Sequence, residues 1–190
     1  MPEGQLTTER LLLRPLRPHY AEAACAYYAR NRAHLDPWEP ARAPDFSTVA
    51  YHRRELEQTW REQLAGSCAR FGVHIGQGDA LIGIINLWAI RRGNIHAAVI
   101  GYSVDAAHEG HGYVTEGARA VVDYAFTALN LHRIETSYHP TNDRSGRVLR
   151  RLGFVVEGYA RDYLRIDGDW RDAILVSLTN PNWQPEPAIP

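Results

Sequence analysis

The spacing of apolar residues divides the chain into predicted helices and strands. Apolar positions three and four residues apart predict helices over 19–32, 47–65 and 113–130, and a fourth helix that ends at Arg151. Asn142 or Asp143 can cap the fourth helix, and Gly153 can terminate it. The helix over 113–130 is the clearest, because its apolar stripe comprises Val114, Ala118, Val121, Val122, Ala125, Phe126 and Leu129.

Runs of β-branched and aromatic residues between turn residues predict the strands. These runs lie at 11–17, 70–75, 81–88, 97–104, 133–138, 154–166 and 170–178, and the last two form a hairpin. Residues 34–40 are predicted to be a Pro-rich loop. The order of elements predicts a mixed α/β (α+β) fold, with a mostly antiparallel sheet, flanking helices and one βα crossover in its centre.

Length and composition indicate one folded domain. The chain has 190 residues, of which 45% are hydrophobic and 23% charged. We expect a single domain over 1–183 and a flexible Pro-rich tail over 184–190. A net charge of −1 argues against salt-driven binding to nucleic acid. No export signal or apolar run of membrane-spanning length is visible, so the expected location is the cytoplasm and no membrane partner is expected.

The glycine loop, residues 105–112, has the pattern of an anion-binding site. Gly110 and Gly112 allow a tight turn, and the unpaired N–H groups of the helix that follows point toward an anion. The loop lacks the dinucleotide pattern, because Thr115 replaces the third glycine, and it also lacks the Walker pattern. Taken alone, it is more often a plain strand-to-helix turn.

The surroundings of the glycine loop resemble a known superfamily. The set GxG, helix, strand and NxxSxRVLxxLGF (142–154) resembles the GCN5-related N-acetyltransferase (GNAT) superfamily. HLDPWEP (34–40), EGYARDYLRIDGDWRD (157–172) and LTNPNW (178–183) are similar to the RimJ-type ribosomal-protein alanine N-acetyltransferases. The resemblance covers residues 6–183 and implies the GNAT fold, in which the sheet is splayed at the coenzyme A (CoA) site.

The resemblance implies that acetyl-CoA is the cosubstrate and that no metal is involved. The glycine loop would bind the pyrophosphate, and the preceding strand and the helix after Asn142 would bind the pantetheine. The implied cofactor-binding residues are Tyr102, Ser103, Val104, Gly110, His111, Gly112, Tyr113, Val114, Thr115, Asn142, Ser145 and Arg147. Ala107 stands where the superfamily often has Arg or Gln, His111 stands where it often has Lys or Arg, and Glu109 adds a negative charge. Arg144 and Arg147 are the candidates to supply positive charge.

Direct transfer of the acetyl group to an amine requires stabilisation of the oxyanion and the departing sulfur. A backbone N–H near Val104 is expected to donate a hydrogen bond to the oxyanion, and the Ser145 hydroxyl is expected to donate one to the departing sulfur. Ser145 can instead simply solvate the helix start. A peptide α-amine, with a pKa of about 8, needs only a weak base acting through water. Glu157 and Tyr159 are the preferred catalytic candidates for that base, and His96 and His139 are the others; each of the four can also be purely structural.

The predicted acceptor site lies in the loop over 34–40. Trp38 and Glu39 are expected to bind the substrate, and Asp36 and Glu39 can meet the positive charge of an amine. The alternative is that Trp38 belongs to a packed aromatic loop.

The resemblance implies transfer, in a ternary complex, to the N-terminal alanine of a small-subunit ribosomal protein. That N-terminus is the expected partner, without direct nucleic-acid contact, and the enzyme would be a monomer or homodimer. One rival function is acetylation of a small amine such as an antibiotic, polyamine or amino acid, since one fold serves many acceptors. Another is a non-catalytic CoA-binding factor in ribosome assembly.

Overall fold

The computed structural model describes residues 4–185, in which eight strands form one sheet with the order β1-β2-β3-β4-β5-β6-β8-β7. The strands are β1 (Leu6–Thr7), β2 (Leu11–Pro15), β3 (Ala69–Ile75), β4 (Gly83–Arg91), β5 (Ala97–Val104), β6 (Arg133–Tyr138), β7 (Val155–Ile166) and β8 (Asp169–Thr179). The helices are α1 (Ala21–Arg30), α2 (Arg32–Leu35), α3 (Val49–Leu64), α4 (Tyr113–Thr127) and α5 (Asp143–Leu152). No helix in this part of the chain is long and apolar enough to cross a membrane.

The predicted mixed fold is confirmed, and the corrections are local. Strand β1 was not predicted, because two residues carry no periodicity. The predicted helix over 19–32 is divided at Asn31, whose side-chain amide donates to Tyr27 O and accepts from Ala106 N–H (both 2.9 Å). The predicted loop over 34–40 is partly helical, since α2 continues into a 3₁₀ turn at Asp36–Trp38.

Helices cover both faces of the sheet. Helices α4 and α5 pack on one face, where Val121 and Leu149 belong to the same buried cluster as Phe71 and Ile100. Helices α1 and α3 pack on the other face, in a cluster that includes Leu16, Tyr27, Leu56, Leu81 and Ile84. The sheet is therefore buried on both faces and provides a rigid frame for the residues at its centre.

The central crossover opens the sheet. Strands β5 and β6 are parallel, and only Ala97, Ala98 and Val99 of β5 pair with β6. Beyond Val99, β5 stays paired with β4, whereas β6 stays paired with β8. Asp105 N–H donates to Ile82 O (2.7 Å), on the β4 side of β5. Backbone groups alternate in direction along a strand, so those of Tyr102 and Val104 point away from β4 and face the opening.

The β7–β8 hairpin is long and forms one edge of the sheet. It turns at Asp167 and Gly168, both with positive φ (+48° and +87°), as a two-residue Asp-Gly turn requires. Of the predicted tail over 184–190, residues 186–190 lie outside the described part. The chain before them is tied to the loop between α4 and β6, because Trp183 Nε1 donates to Asn130 O and Asn130 Nδ2 donates to Gln184 O.

Candidate active site

A cleft of about 1360 Å³ lies where β5 and β6 diverge. Thirteen of the residues predicted to form the site line it, namely Trp38, Glu39, Tyr102, Ser103, Val104, Gly110, Gly112, Tyr113, Val114, Thr115, Asn142, Ser145 and Arg147. The predicted residues His96, His111, Glu157 and Tyr159 are not among its lining residues. The cleft therefore joins segments from the first helices to the last hairpin.

The glycine-loop end of the cleft is made of backbone. Gly110 and Gly112 adopt left-handed φ angles of +78° and +79°, which favour glycine, and Gly112 caps α4. The first hydrogen bond of α4 joins Glu116 N–H to Gly112 O (3.0 Å), so the three preceding N–H groups lack helical partners. Free N–H groups and the helix dipole make this end suitable for a phosphate-like anion.

Arg10, immediately before β2, holds the glycine loop in place. Its guanidinium donates to His111 O (3.0 Å), forms an ion pair with Glu116 (2.6 Å) and lies over the Tyr113 ring (4.8 Å). The His111 ring stacks on Tyr113 instead of facing the cleft. The sequence carries no local signal for Arg10, because its partners lie about a hundred positions later.

An ion network crosses the cleft above the glycine loop. Arg144 Nη1 donates to both carboxylate oxygens of Glu109 (2.7 and 2.6 Å), and His34 Nε2 lies 3.5 Å from the same carboxylate. Arg144 thus balances the charge of Glu109, and its Nη1 must leave that carboxylate to bind an anion. Arg147 lines the cleft one turn further along α5.

The start of α5 places two polar side chains opposite β5. The carboxamide oxygen of Asn142 accepts from Ser145 N–H (3.0 Å), so Asn142 is the N-cap of α5. The Ser145 hydroxyl lies 2.9 Å from the Tyr102 hydroxyl. Burial raises the pKa of Tyr102 to about 12, against the lowering effect of its hydrogen bond with Ser145. The phenol therefore stays neutral at physiological pH.

The carboxylate end of the cleft, defined by Asp36, Glu39, Asp167 and Asp172, is made of side chains. Burial raises the pKa of Glu39, although the neighbouring Arg42 opposes the shift. Arg42 lies 3.0 Å from both the Glu39 and Asp36 carboxylates, and Arg32 lies 3.3 Å from the Asp36 carboxylate. Asp167 N–H donates to Glu39 O (3.3 Å), which joins the hairpin tip to this loop.

Aromatic groups wall the same end of the cleft. The ring centroids of Trp38 and His139 are 6.3 Å apart, and both residues line the cleft. The cleft floor consists of Asn86, Trp88 and Gly101. The Trp88 ring lies so close over Gly101 that an added Cβ would be 2.5 Å from it. The Asn86 carboxamide oxygen is buried and has no hydrogen-bond partner in the described part of the chain.

Comparison with known proteins identifies the family. The model of a family described as an acetyltransferase (GNAT) domain matches residues 10–155. The chain belongs to the GNAT acetyltransferase family. It is 39% identical over 185 residues to the ribosomal protein uS5-alanine N-acetyltransferase of Escherichia coli K12, which covers 97% of this chain and 95% of that protein.

Solved structures of similar acetyltransferases share the whole fold. The ribosomal-protein-S5-alanine acetyltransferase of Vibrio fischeri superposes with a TM-score of 0.92 at 36% identity, covering 96% of this chain and 100% of that one. Mycobacterium smegmatis RimJ, in complex with CoA-disulfide, superposes with a TM-score of 0.84 at 32% identity, and the match covers 93% of this chain and 86% of that one. The GNAT fold predicted from the sequence, with its sheet splayed at the central crossover, is confirmed.

Two preferred candidates for the catalytic base of this acetyltransferase lie away from the cleft. Glu157 accepts from Ser177 Oγ (2.6 Å) and pairs with Arg133 (2.7 Å), and these contacts lower the pKa of its carboxyl. The Tyr159 hydroxyl donates to Asp172, which raises the pKa of the phenol. Glu157 belongs to an ion pair with Arg133 at the sheet edge, whereas Tyr159 contacts Asp172, which lines the cleft.

The other two candidates differ in position. His96 lies at the start of β5, beside Trp183, where β5 and β6 are still paired. His139 lines the cleft, and its Nδ1 lies 2.8 Å from Thr141 Oγ1. Within residues 4–185, no group of three or more His, Cys, Asp or Glu side chains is arranged to hold a metal ion.

Proposed function

We propose that this acetyltransferase transfers the acetyl group of acetyl-CoA to the α-amine of an N-terminal alanine on a small-subunit ribosomal protein. The observation that carries the proposal is the continuous cleft, which joins an anion-binding loop to a set of carboxylates. The similarity to two ribosomal-protein alanine acetyltransferases supports the choice of acceptor. Such a reaction belongs in the cytoplasm, where ribosomal proteins are made.

The glycine-loop end fits the diphosphate of CoA. The N–H groups of Tyr113, Val114 and Thr115 and the turn at Gly110–Gly112 would bind it, with His111 contributing its backbone. The free backbone edge of Tyr102–Val104 would pair with the pantetheine arm. Asn142, Ser145 and Arg147 would contact the arm and the phosphates from the α5 side. The complex of Mycobacterium smegmatis RimJ with a CoA-disulfide supports this assignment.

The proposed chemistry is direct transfer within a ternary complex. The amine nitrogen bonds to the acetyl carbon, and the carbon–sulfur bond breaks with its electron pair on sulfur. The Val104 N–H, facing the opening, would stabilise the oxyanion. Ser145 would donate a hydrogen bond to the departing sulfur, which takes up one proton as the amine loses one.

The carboxylate end fits an ammonium group. Asp36 and Glu39 are both paired with Arg42, and Asp36 is also paired with Arg32, so a protonated amine would compete with these arginines for the two carboxylates. Trp38 would cover the first residue of the peptide. About a tenth of a peptide α-amine is neutral at pH 7, so water can carry its proton away without Glu157 or Tyr159.

A panel of acceptors tests the proposed function. We expect acetylation of a peptide with N-terminal alanine and none of the same peptide with a blocked α-amine. All 21 Lys and Arg residues of the enzyme are arginine, so lysine acetylation of the enzyme itself cannot add background. Faster turnover of a polyamine than of any peptide would contradict the proposal, as would CoA binding without transfer to any amine.

A further inference from the structure

The Tyr102 side chain lies directly behind the serine that we assign to the departing sulfur. Its hydroxyl is 2.9 Å from Ser145 Oγ and 3.3 Å from the Ser145 carbonyl oxygen. Tyr102 lies on β5 and Ser145 lies in the first turn of α5, so the contact joins β5 to the helix that follows β6. Both residues line the cleft.

The chemistry of the two hydroxyls favours one direction for this hydrogen bond. Ser145 Oγ carries one proton, and if Tyr102 accepted that proton, none would remain for a ligand. The carbonyl oxygen of Ser145 can only accept a hydrogen bond. The Tyr102 hydroxyl is therefore the donor in its contact with that oxygen, and the same orientation directs its proton toward Ser145 Oγ. The pKa of about 12 keeps that proton on Tyr102 throughout the working range of pH.

We propose that Tyr102 is a positioning residue for acetyl transfer: it donates a hydrogen bond to Ser145 Oγ and thereby directs the Ser145 proton at the departing sulfur. The inference rests on the proposed function. No proton leaves Tyr102 in the step. The hydrogen bond makes Ser145 a better donor while negative charge develops on sulfur, because donors in a chain polarise one another. The sulfur's final proton balances the one lost by the amine.

Tyr124 provides a matched control for removal of a tyrosine hydroxyl. It lies on α4 outside the cleft, with its ring edge-on to Phe71 (5.8 Å). Burial raises its pKa to about 12 as well, and its hydroxyl has no hydrogen-bond partner in the described part of the chain. Tyr124→Phe therefore removes the same hydroxyl group from a tyrosine on another element, without touching Ser145.

A double-mutant cycle tests the inference. We expect Tyr102→Phe to lower kcat about 3- to 10-fold with little change in either KM, and Tyr124→Phe to leave kcat unchanged. In a Ser145→Ala background, Tyr102→Phe should change kcat by less than about 2-fold. In a Ser145→Thr background, which restores a hydroxyl, the loss should return.

Two results would overturn the inference. One is an equal loss from Tyr102→Phe with and without the Ser145 hydroxyl, which would make the phenol independent of Ser145. The other is a raised KM for acetyl-CoA at unchanged kcat, which would make Tyr102 only a packing surface for the coenzyme. Either result leaves the proposed function intact, whereas a wild-type enzyme that acetylates no α-amine would refute that function instead.

Discussion

The two ends of the cleft are built from different materials. The glycine-loop end consists of backbone N–H groups, two left-handed glycines and a helix start, all within a short stretch of chain. The carboxylate end consists of side chains from the loop after α2 and from the β7–β8 hairpin, more than a hundred residues apart. One end depends on backbone conformation and the other on charge.

This difference predicts two separable kinds of defect. Changes in conformation at the glycine loop should impair use of acetyl-CoA, whatever the acceptor. Changes in charge at Glu39 should impair use of the acceptor and leave binding of the coenzyme intact. Variants at each end, measured for both substrates, therefore test whether the division is real.

The largest effect is expected at Gly112. Gly112→Val places a β-branched residue at φ +79°, which L-residues rarely adopt, so the loop and the first turn of α4 must move. We expect kcat/KM for acetyl-CoA to fall on the order of 100-fold, as for a displacement of about 1 Å at a reacting site. Steady-state kinetics at saturating peptide measure this.

Gly76→Val is the matched control for that variant. Gly76 also has positive φ (+51°), with nothing within 4 Å of an added Cβ, but it lies in the turn after β3. It should lose stability without losing affinity for acetyl-CoA. Equal kinetic losses in both variants would show that the defect is general strain.

The next effect is expected at Glu39. Glu39→Gln removes one of the two carboxylates paired with Arg42, and Arg42 keeps its contact with Asp36 (3.0 Å). We expect KM for the peptide to rise about 10-fold, with the Kd of CoA unchanged. The control is Asp79→Asn, at an exposed carboxylate near β4. A changed CoA affinity in Glu39→Gln would contradict the separation of the two ends.

A smaller and mixed effect is expected at Asn86. Asn86→Leu removes a buried carboxamide oxygen that has no partner among residues 4–185, so unfolding should cost about 1 kcal/mol more. That gain corresponds to a rise in Tm of about 2–4 °C. Peptide turnover should fall a few-fold because the floor loses its polar group. Calorimetry and kinetics on one preparation measure the rise in Tm and the fall in turnover. A lowered Tm would contradict the conclusion that the Asn86 carboxamide oxygen is buried without a partner.

The smallest effect concerns pH. His52 is buried and stacked on Tyr28 behind the carboxylate end (5.4 Å), and burial lowers its pKa, with Glu55 opposing. The unfolded chain binds the proton more readily, so stability is full above pH of about 6.5 and falls below it. Urea unfolding at pH 7.5 and 5.5 should show a loss on the order of 1 kcal/mol, which His52→Phe reduces. In the His52→Phe variant, part of the loss of stability at pH 5.5 should remain, because burial also lowers the pKa of His74.

The glycine-loop end could be predicted because its signals are local. Two glycines, the apolar stripe of α4 and the Asn142 cap lie within short windows whose geometry is set by neighbouring residues. The central crossover followed from the order of elements. Arg10 and the contact between Tyr102 and Ser145 could not be found this way, because each joins segments at least 43 positions apart.

Glu157 and Tyr159, the preferred candidates for the catalytic base, do not line the cleft for a related reason. Glu157 lies in the block that resembles the family most strongly, but a strand also carries its residues away from the site. At 3.2–3.4 Å per residue, the strand from Glu157 to the tip that lines the cleft has a length on the order of 20–30 Å. Nearness in sequence to a family signature therefore did not indicate a place in the cleft lining. The division of the predicted helix at Asn31 could not be predicted either, because it involves a contact with Ala106, which is distant in sequence.

The most direct test of the central claim uses one peptide with two amines, an N-terminal alanine and an internal lysine. After incubation with the enzyme and acetyl-CoA, fragmentation in a mass spectrometer locates the acetyl group. Transfer across the cleft to an α-amine predicts a single acetyl group on alanine, and far less labelling by the Gly112→Val variant after the same short incubation. Acetylation of the lysine alone, or equal labelling by the Gly112→Val variant, would contradict it.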